Sequence, residues 1–402
     1  MTYTGALPQA YVLKSNSLTS YGQLAYIGSD SKLASIAIAA DSTLIQGKYA
    51  NAITGITAID GQLRGQVGEF RWKLKNTASG TWDFFAWLYP DTVNTLAELG
   101  YGRDEILNAL RNRASVTADA LANDCADFSA GSICLSASLR YTNFGRADEV
   151  AGVVNAALRI APGLRVGAFL DYSVDRISHT VRLKQQENLP MYGGFIGYAP
   201  RADGLGLQIR LSGAYSTEAV TISRSDALDI TEAGSGTSRL KSWAIGGEAG
   251  YAFRLGRSLR LLPYVGLRHS YDGRAGYAER ATADVEFPVT YETYSQRLTT
   301  GQAGLQVSGV IDRVMGYRLG AGLEYDLAAQ AGSYAGSTAI PVLQTFAVAN
   351  GASPHRLRAQ GVAEVDFAIA PAVRVSLGAS IRQETYTDHT PTSITARLRF
   401  GF

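Results

Sequence analysis

The chain ends Ile394-Thr395-Ala396-Arg397-Leu398-Arg399-Phe400-Gly401-Phe402, with an apolar side chain at every even position and Thr, Arg, Arg and Gly between them. A period of two sends successive side chains to opposite faces, so this stretch reads as a strand with one apolar and one polar face. Val373, Val375, Leu377, Ala379 and Ile381 repeat the pattern against Arg374, Ser376, Gly378, Ser380 and Arg382, and residues 357–369 and 317–327 continue it backward. Twelve such segments are legible, near 133–143, 149–161, 164–175, 190–200, 204–222, 240–255, 258–271, 296–311, 315–328, 356–370, 372–384 and 393–402. The seventh is the least regular, because Leu261-Leu262-Pro263-Tyr264 breaks its alternation.

A soluble sandwich also alternates, but its outward face is freely charged. Here the apolar face is unbroken over each strand, while the other mixes arginine, carboxylates, Ser and Gly, as a wet and crowded interior would. Polar backbone cannot be left unpaired in lipid, so strands of ~10 residues in even number must close into a barrel. Trp243 and Tyr251, and likewise Tyr317 and Tyr325, lie on apolar faces eight residues apart, a rise of ~20 Å once tilted, close to the spacing of two interfacial aromatic girdles. Connections alternate in length. Those at Ala161-Pro162-Gly163, Arg201-Ala202-Asp203, Gly256-Arg257, Asp312-Arg313-Val314 and Pro371 are short, while 223–239, 272–295 and 329–355 are long. The expected fold is therefore all-β with one helix, built on a 12-stranded antiparallel transmembrane barrel over 127–402.

Composition agrees with an ordered chain and excludes several classes. Of 402 residues, 46% are hydrophobic and only 18% charged, with 43 Gly but 22 Tyr and 13 Phe; that is too aromatic for disorder. A net charge of +2 gives no reason to expect nucleic acid as a partner. Five of the seven lysines precede residue 76, so the two ends of the chain are made for different surroundings. No run approaches the ~18 apolar residues of a transmembrane helix, and none opens the chain as a signal peptide.

Upstream of the ladder the period changes. Asp104 to Asn123 (DEILNALRNRASVTADALAN) has no Gly or Pro, and Asp104-Glu105 places acid where a helix dipole favours it. Twenty residues would make a helix of ~30 Å, one membrane thickness. Asn108, Arg111, Asn112, Arg113 and Asp119 make it too polar for lipid, and Ile106, Leu107, Leu110 and Leu121 give a narrow apolar stripe. It can pack on a neighbour outside the membrane. It can also lie in the barrel lumen, because an even-stranded barrel with a periplasmic C-terminus begins its first strand on the same side. Its arginines would then meet lumen carboxylates such as Asp171, Glu248, Glu324, Glu364 and Asp366.

A chain-terminal ladder of twelve strands closing on Leu398, Phe400 and Phe402, with a helix ahead of it, resembles the translocator domain of type V autotransporters over residues 95–402. The resemblance implies an outer-membrane barrel of a Gram-negative bacterium whose C-terminal aromatics are read by the barrel-assembly machinery. It further implies delivery by periplasmic chaperones, surroundings of outer-membrane lipid and lipopolysaccharide, a monomer, no cofactor, and a passenger carried to the cell surface with the helix left as the plug. The Asn-Asn pair of self-cleaving members is absent from 104–123, so an uncleaved passenger is expected. Linker and helix would occupy 95–126. Cys125 and Cys134, the only cysteines, would be bridged in an oxidising periplasm, two reduced thiols being the alternative.

Residues 1–94 are different material, with short β-like runs at 33–39, 43–49, 70–74 and 82–88. Trp72, Trp82 and Trp87 fall here, in a stretch similar to the last rungs of an autotransporter passenger, where stacked aromatics cap a solenoid end; a small sandwich core is the competing reading. The piece is too short for a whole passenger enzyme, and the chain looks processed or truncated. Chemistry is sparse: there is no G-x-S-x-G, H-E-x-x-H or P-loop, and His179, His269, His355 and His389 are isolated. His269-Ser270 are adjacent and so point to opposite faces, unlike the nucleophile and base of a barrel phospholipase. Glu364/Asp366 and Glu324/Asp326 sit at i and i+2 and are expected to pair with Arg318, Arg374 and Arg382 rather than to act as acid and base. A diffusion channel and a lipid-acting barrel enzyme are the alternatives to a non-enzymatic translocator.

Overall fold

The computed structural model describes residues 2–28, 32–128, 131–178, 182–201, 203–256, 258–312, 314–349, 354–386 and 389–402, with backbone alone for 175–178. His179, the turn residues Ala202, Arg257 and Arg313, and residues 350–353 of the longest connection lie outside the described residues.

Twelve long strands run Ile133–Asn143, Ala147–Ala161, Leu164–Ser178, Met191–Tyr198, Gly206–Arg224, Gly234–Leu255, Leu259–Arg274, Tyr294–Val310, Met315–Ala331, Leu357–Ala370, Val373–Arg382 and Thr392–Gly401. Each pairs antiparallel with its sequence neighbours, and the last pairs with the first from Cys134–Gly401 to Asn143–Thr392, closing the barrel. The distribution of exposure is the inverse of a soluble protein's. Leu319, Leu323 and Leu327 are 52%, 53% and 59% exposed, whereas Glu324 and Asp326 on the same strand are 0% and 1%. An apolar outside around a charged inside excludes a water-soluble sandwich and requires a hydrocarbon surrounding. On that outside Tyr215 is in register with Tyr192 on one neighbour and Trp243 on the other, and Trp243 with Tyr271. These rings form a girdle toward the rim of long loops. Tyr198, Tyr251 and Phe253 stand toward the other rim, where the turns are short.

The irregular seventh strand is continuous from Leu259 to Arg274. Pro263 has no N–H to give, and its pairing with the sixth strand lapses there, from Gly250–Tyr264 to Phe253–Leu261, while pairing with the eighth is unbroken. At the turn after the second strand Gly163 has φ +77°, and a Cβ there would lie 2.6 Å from the Ala199 carbonyl oxygen. Only glycine fits that corner.

The N-terminal residues form a separate apolar core, from Leu13 and Leu24 to Trp72, Trp82 and Phe84. Its main sheet begins with parallel strands Thr2–Thr4, Leu24–Ile27 and Gly47–Thr54 and continues antiparallel through Thr81–Trp87, Phe70–Ala78 and Arg64–Val67. Two further parallel pairs, Tyr11–Leu13 with Ile36–Ile38 and Lys32–Leu33 with Ala58–Ile59, stack beside it. The first part of the unit is thus paired in parallel and its last three strands antiparallel.

The long connections are not structureless. Tyr277–Ala278, Val289–Tyr291, Tyr334–Thr338 and Thr345–Val348 make a four-stranded sheet over the rim. Its inner side carries Tyr277, Tyr291, Tyr334 and Phe346, packed against Leu99, Ile106, Leu107 and Leu110 of the helix.

Candidate functional site: the plugged lumen

One helix, Thr92–Ala120, joins the N-terminal unit to the barrel. It begins at Thr92, not at the expected Asp104. The Asp91 carboxylate accepts from Asn94 N at 2.8 Å and caps it there, so Gly100 and Gly102 lie inside the helix rather than ahead of it. Gly102 is tolerated because it faces the roof, 3.8 Å being the gap between its built Cβ and the Tyr334 hydroxyl. No acidic residue occupies the first turn. At 1.5 Å per residue the helix spans ~43 Å, more than a hydrocarbon core, and so projects above the barrel wall.

Both ends fix its path. At the top, Asp91 N donates to the Ile230 carbonyl at 2.8 Å and Asn94 Nδ2 to that of Asp229 at 2.8 Å, both in a long-loop connection; Glu98 pairs with Arg182 of another at 2.7 Å. At the bottom, Arg165, beside a short turn, donates Nε to Asp124 Oδ1 at 2.9 Å. Asp127 meets Arg399 at 2.9 Å. The helix therefore runs through the lumen from the long-loop rim to the short-turn rim. Val116, Ala120 and Leu121 pack on Phe169, Phe195, Ala214 and Ala244, which point inward.

The helix arginines meet partners other than the five carboxylates named above, while Arg318, Arg374 and Arg382 sit on Glu364, Asp366 and Glu324. Arg113 donates to Glu218 and, at 2.9 Å, to Ser216 Oγ. Arg111 lies over the Tyr386 ring at 5.5 Å and touches Asn108 at 3.4 Å. Asp104 takes its own neighbour Arg103 at 2.7 Å, and Asn112 is half-buried. The five lumen carboxylates named above are matched instead by arginines of the wall. Asp171 meets Arg140 at 2.6 Å and Glu248 meets Arg210 at 3.2 Å. Glu364 takes Arg318 and, at 3.0 Å, Arg399; Asp366 takes Arg374 at 2.7 Å. Glu324 is held by Arg268 at 2.9 Å, Arg358 at 3.1 Å and Arg382 at 3.6 Å. Besides Arg113, the helix reaches the wall through its acid Asp119, at 2.9 Å from Arg382. These wall arginines stand on the adjacent strand (Arg210, Arg318, Arg358, Arg374) or one strand beyond it (Arg140, Arg268, Arg382, Arg399), so the sheet itself holds them around the carboxylates. Charges removed from water need such partners, since an unpaired ion in the lumen costs several kcal/mol.

Cys125 and Cys134 are bridged, Cα–Cα 5.7 Å, fastening the linker to the first strand. Below the helix end a cavity of about 380 Å³ remains, lined by Asp119, Asn123, Arg210, Glu248, Arg318 and Arg397 among others. At the C-terminus the Phe400 and Phe402 rings stack at 6.4 Å on the outer face, and Phe402 is 56% exposed. Leu398 pairs in register with Ala137 on the same face.

His269 and Ser270 do not come together as a nucleophile and base. His269 faces outward, Nδ1 2.9 Å from Thr299 Oγ1, while Ser270 is buried on the lumen side. Among the described residues no cluster of His, Cys, Asp and Glu could hold a metal.

A closed twelve-stranded barrel with an apolar exterior and a helix threaded through its lumen defines an outer-membrane translocator fold. The profile of the Autotransporter beta-domain family matches residues 145–380, and the chain belongs to that family. Its barrels are outer-membrane proteins of Gram-negative bacteria. Among solved structures, the translocator domain of the autotransporter NalP from Neisseria meningitidis superposes with TM-score 0.52 at 14% identity, covering 78% of this chain and 99% of that one. The transport unit of the autotransporter AIDA-I from Escherichia coli covers 73% of this chain and 97% of its own, at TM-score 0.40 and 11% identity. The β domain of the Bordetella autotransporter BrkA covers 68% of this chain and 100% of its own, at TM-score 0.43 and 16% identity. No curated protein matches the sequence.

Proposed function

We propose that the chain is the translocator end of an autotransporter, with residues 1–94 the last part of a passenger standing at the cell surface and the helix retained as the plug. The observation that carries this reading is the continuity of chain from the short-turn linker, up the lumen, into a rung-stacked unit seated on the long-loop rim. Long loops face outward in outer-membrane barrels, which supports an outside position for that unit. The parallel pairing of its first strands supports a passenger end, because each turn of a solenoid offers an edge on which another can stack. The role is structural and transport-related rather than enzymatic, and the chain acts as a monomer. Phe402, Phe400 and Leu398 would be read by the barrel-assembly machinery after periplasmic chaperones deliver the chain, and lipid and lipopolysaccharide would cover the apolar belt.

An epitope at Thr2, behind an added signal peptide, tests the reading on intact Gram-negative cells. Surface labelling that mild protease removes while the barrel survives is expected. Labelling only after permeabilisation would overturn it in favour of a channel with a periplasmic N-terminal unit.

A further inference from the structure

The strand Phe70–Ala78 buries Trp72 and Leu74 and turns Arg71, Lys73 and Lys75 to its other face. On the neighbouring strand Arg64 lies directly opposite Lys73. Like charges facing each other across a strand pair repel, so this arrangement is unfavourable for the N-terminal unit by itself. It makes sense against what lies beside it. Lys73 Nζ is 2.5 Å and Arg64 3.7 Å from the same Asp226 carboxylate oxygen. Lys75 reaches Asp229 at 2.9 Å, and Arg71 reaches Glu286 at 2.6 Å and Glu232 at 3.8 Å. Lys73 and Lys75 also donate to the backbone carbonyls of Asp226 at 3.1 Å and Ala227 at 2.6 Å. The four carboxylates belong to two rim loops of the barrel, and the lysines are among those crowded before residue 76.

The accepting loop is held in place from below. Ile230, β-branched, has φ +54°, a left-handed conformation such residues avoid. Its carbonyl receives Asp91 N, and the Asp229 carbonyl receives Asn94. Loop 225–233 is thus clamped between helix cap and cationic strand. Glu232 is buried and accepts from Phe287 N at 3.0 Å, tying the two acidic loops together.

We propose that these acidic rim loops are a docking site for a β-strand face carrying alternate arginine and lysine, and that docking there stabilises the folded rungs of the N-terminal unit. Arg71, Lys73 and Lys75 share a face only once 70–78 is a strand, so binding selects the folded form. The rim then acts as a template at the pore mouth for the rungs adjoining the helix. None of this depends on which side of the membrane the rim faces, and its failure leaves the translocator reading standing.

The test follows protease resistance of the N-terminal unit in full-length protein refolded in detergent, with heat-dependent gel mobility reporting the barrel. Asp226→Asn with Asp229→Asn, a mild change that keeps both loop carbonyls in place, should shorten the half-life of the N-terminal unit by about tenfold, two or three partly exposed ion pairs being lost. The barrel's mobility should not change. Reversing the loop (Asp226→Lys, Asp229→Lys) should be worse, and adding Lys73→Glu with Lys75→Glu should restore resistance. High salt should weaken the wild type more than the neutralised loop, in which Arg71 keeps Glu286 and Glu232. An unchanged half-life in the neutralised loop, or a four-fold exchange no better than its halves, would overturn the proposal.

Discussion

Replacing Glu324 by Ala should destabilise the barrel by about 3 kcal/mol, and the figure follows from who is left behind. Glu324 is fully buried and accepts from Arg268 through both guanidinium nitrogens, at 3.0 and 2.9 Å, and from Arg358 at 3.1 Å. When it goes, Arg358 keeps Asp326 and Arg382 keeps Asp119. Arg268 loses its only ion-pair partner among the described residues. Stranding one buried charge costs ~3–5 kcal/mol. Arg268 retains 11% side-chain exposure and borders the lumen cavity, so water can reach it and the lower end applies. Glu324→Gln keeps the shape and an acceptor and should cost about half as much. Urea unfolding of the lipid-reconstituted barrel, read by gel mobility, measures both, and a cycle with Arg268→Ala should return most of the loss as coupling. A change below about 0.5 kcal/mol for Glu324→Ala would refute the assignment of a network whose partners were selected by burial.

Reduction of the Cys125–Cys134 bridge should cost ~2–3 kcal/mol by freeing a short loop; both sulfurs are fully buried, so maleimide should label them only after reduction and unfolding. Arg113→Ala leaves Glu218, 4% exposed, facing Ser216 without the guanidinium, and should loosen the helix, seen as faster hydrogen exchange at 106–120 with the barrel unaffected. In the rim clasp, burial tends to raise the Asp226 carboxyl, but the Lys73 ammonium overrides it and holds the group below its ordinary value. A depressed carboxyl contributes stability above the unfolded value of ~3.9 that is lost as pH falls through the native one. Burial raises Glu232, which by the opposite sign favours the docked form as that group protonates. Docking should therefore hold from neutrality down to about pH 4 and fail below it, followed by tryptophan emission in an acid titration.

The barrel was legible because a lipid-facing strand has few options. Residues 394–402 must alternate, and each of the twelve segments recurs as a strand within a few residues of its expected ends. The helix start was misread because Gly100 and Gly102 look like breakers in sequence; only the Asp91 cap and the roof of Tyr334 explain why they are not. Helix–wall pairing was also beyond the pattern. Which arginine meets Glu324 depends on barrel closure, which brings Arg268, Arg358 and Arg382 from separate strands to one point. Arg140, Glu218 and Arg358 carried a signal, being charges on polar faces, but nothing local ranked them above their neighbours. The parallel stacking of 2–4, 24–27 and 47–54 and the sheet built from the long loops join distant short segments, and short runs such as Tyr11–Leu13 have no period long enough to read. The lysine asymmetry was visible from the start, and its meaning came only with the acidic rim.

The central claim is that the helix occupies the lumen of a membrane-inserted barrel. Ion conductance in planar bilayers tests it most directly, comparing the full chain with a form beginning at Leu121. The account predicts that the full chain stays closed or passes only small steps, while the form without the helix opens to large, stable ones. Equal conductance from the two would contradict it.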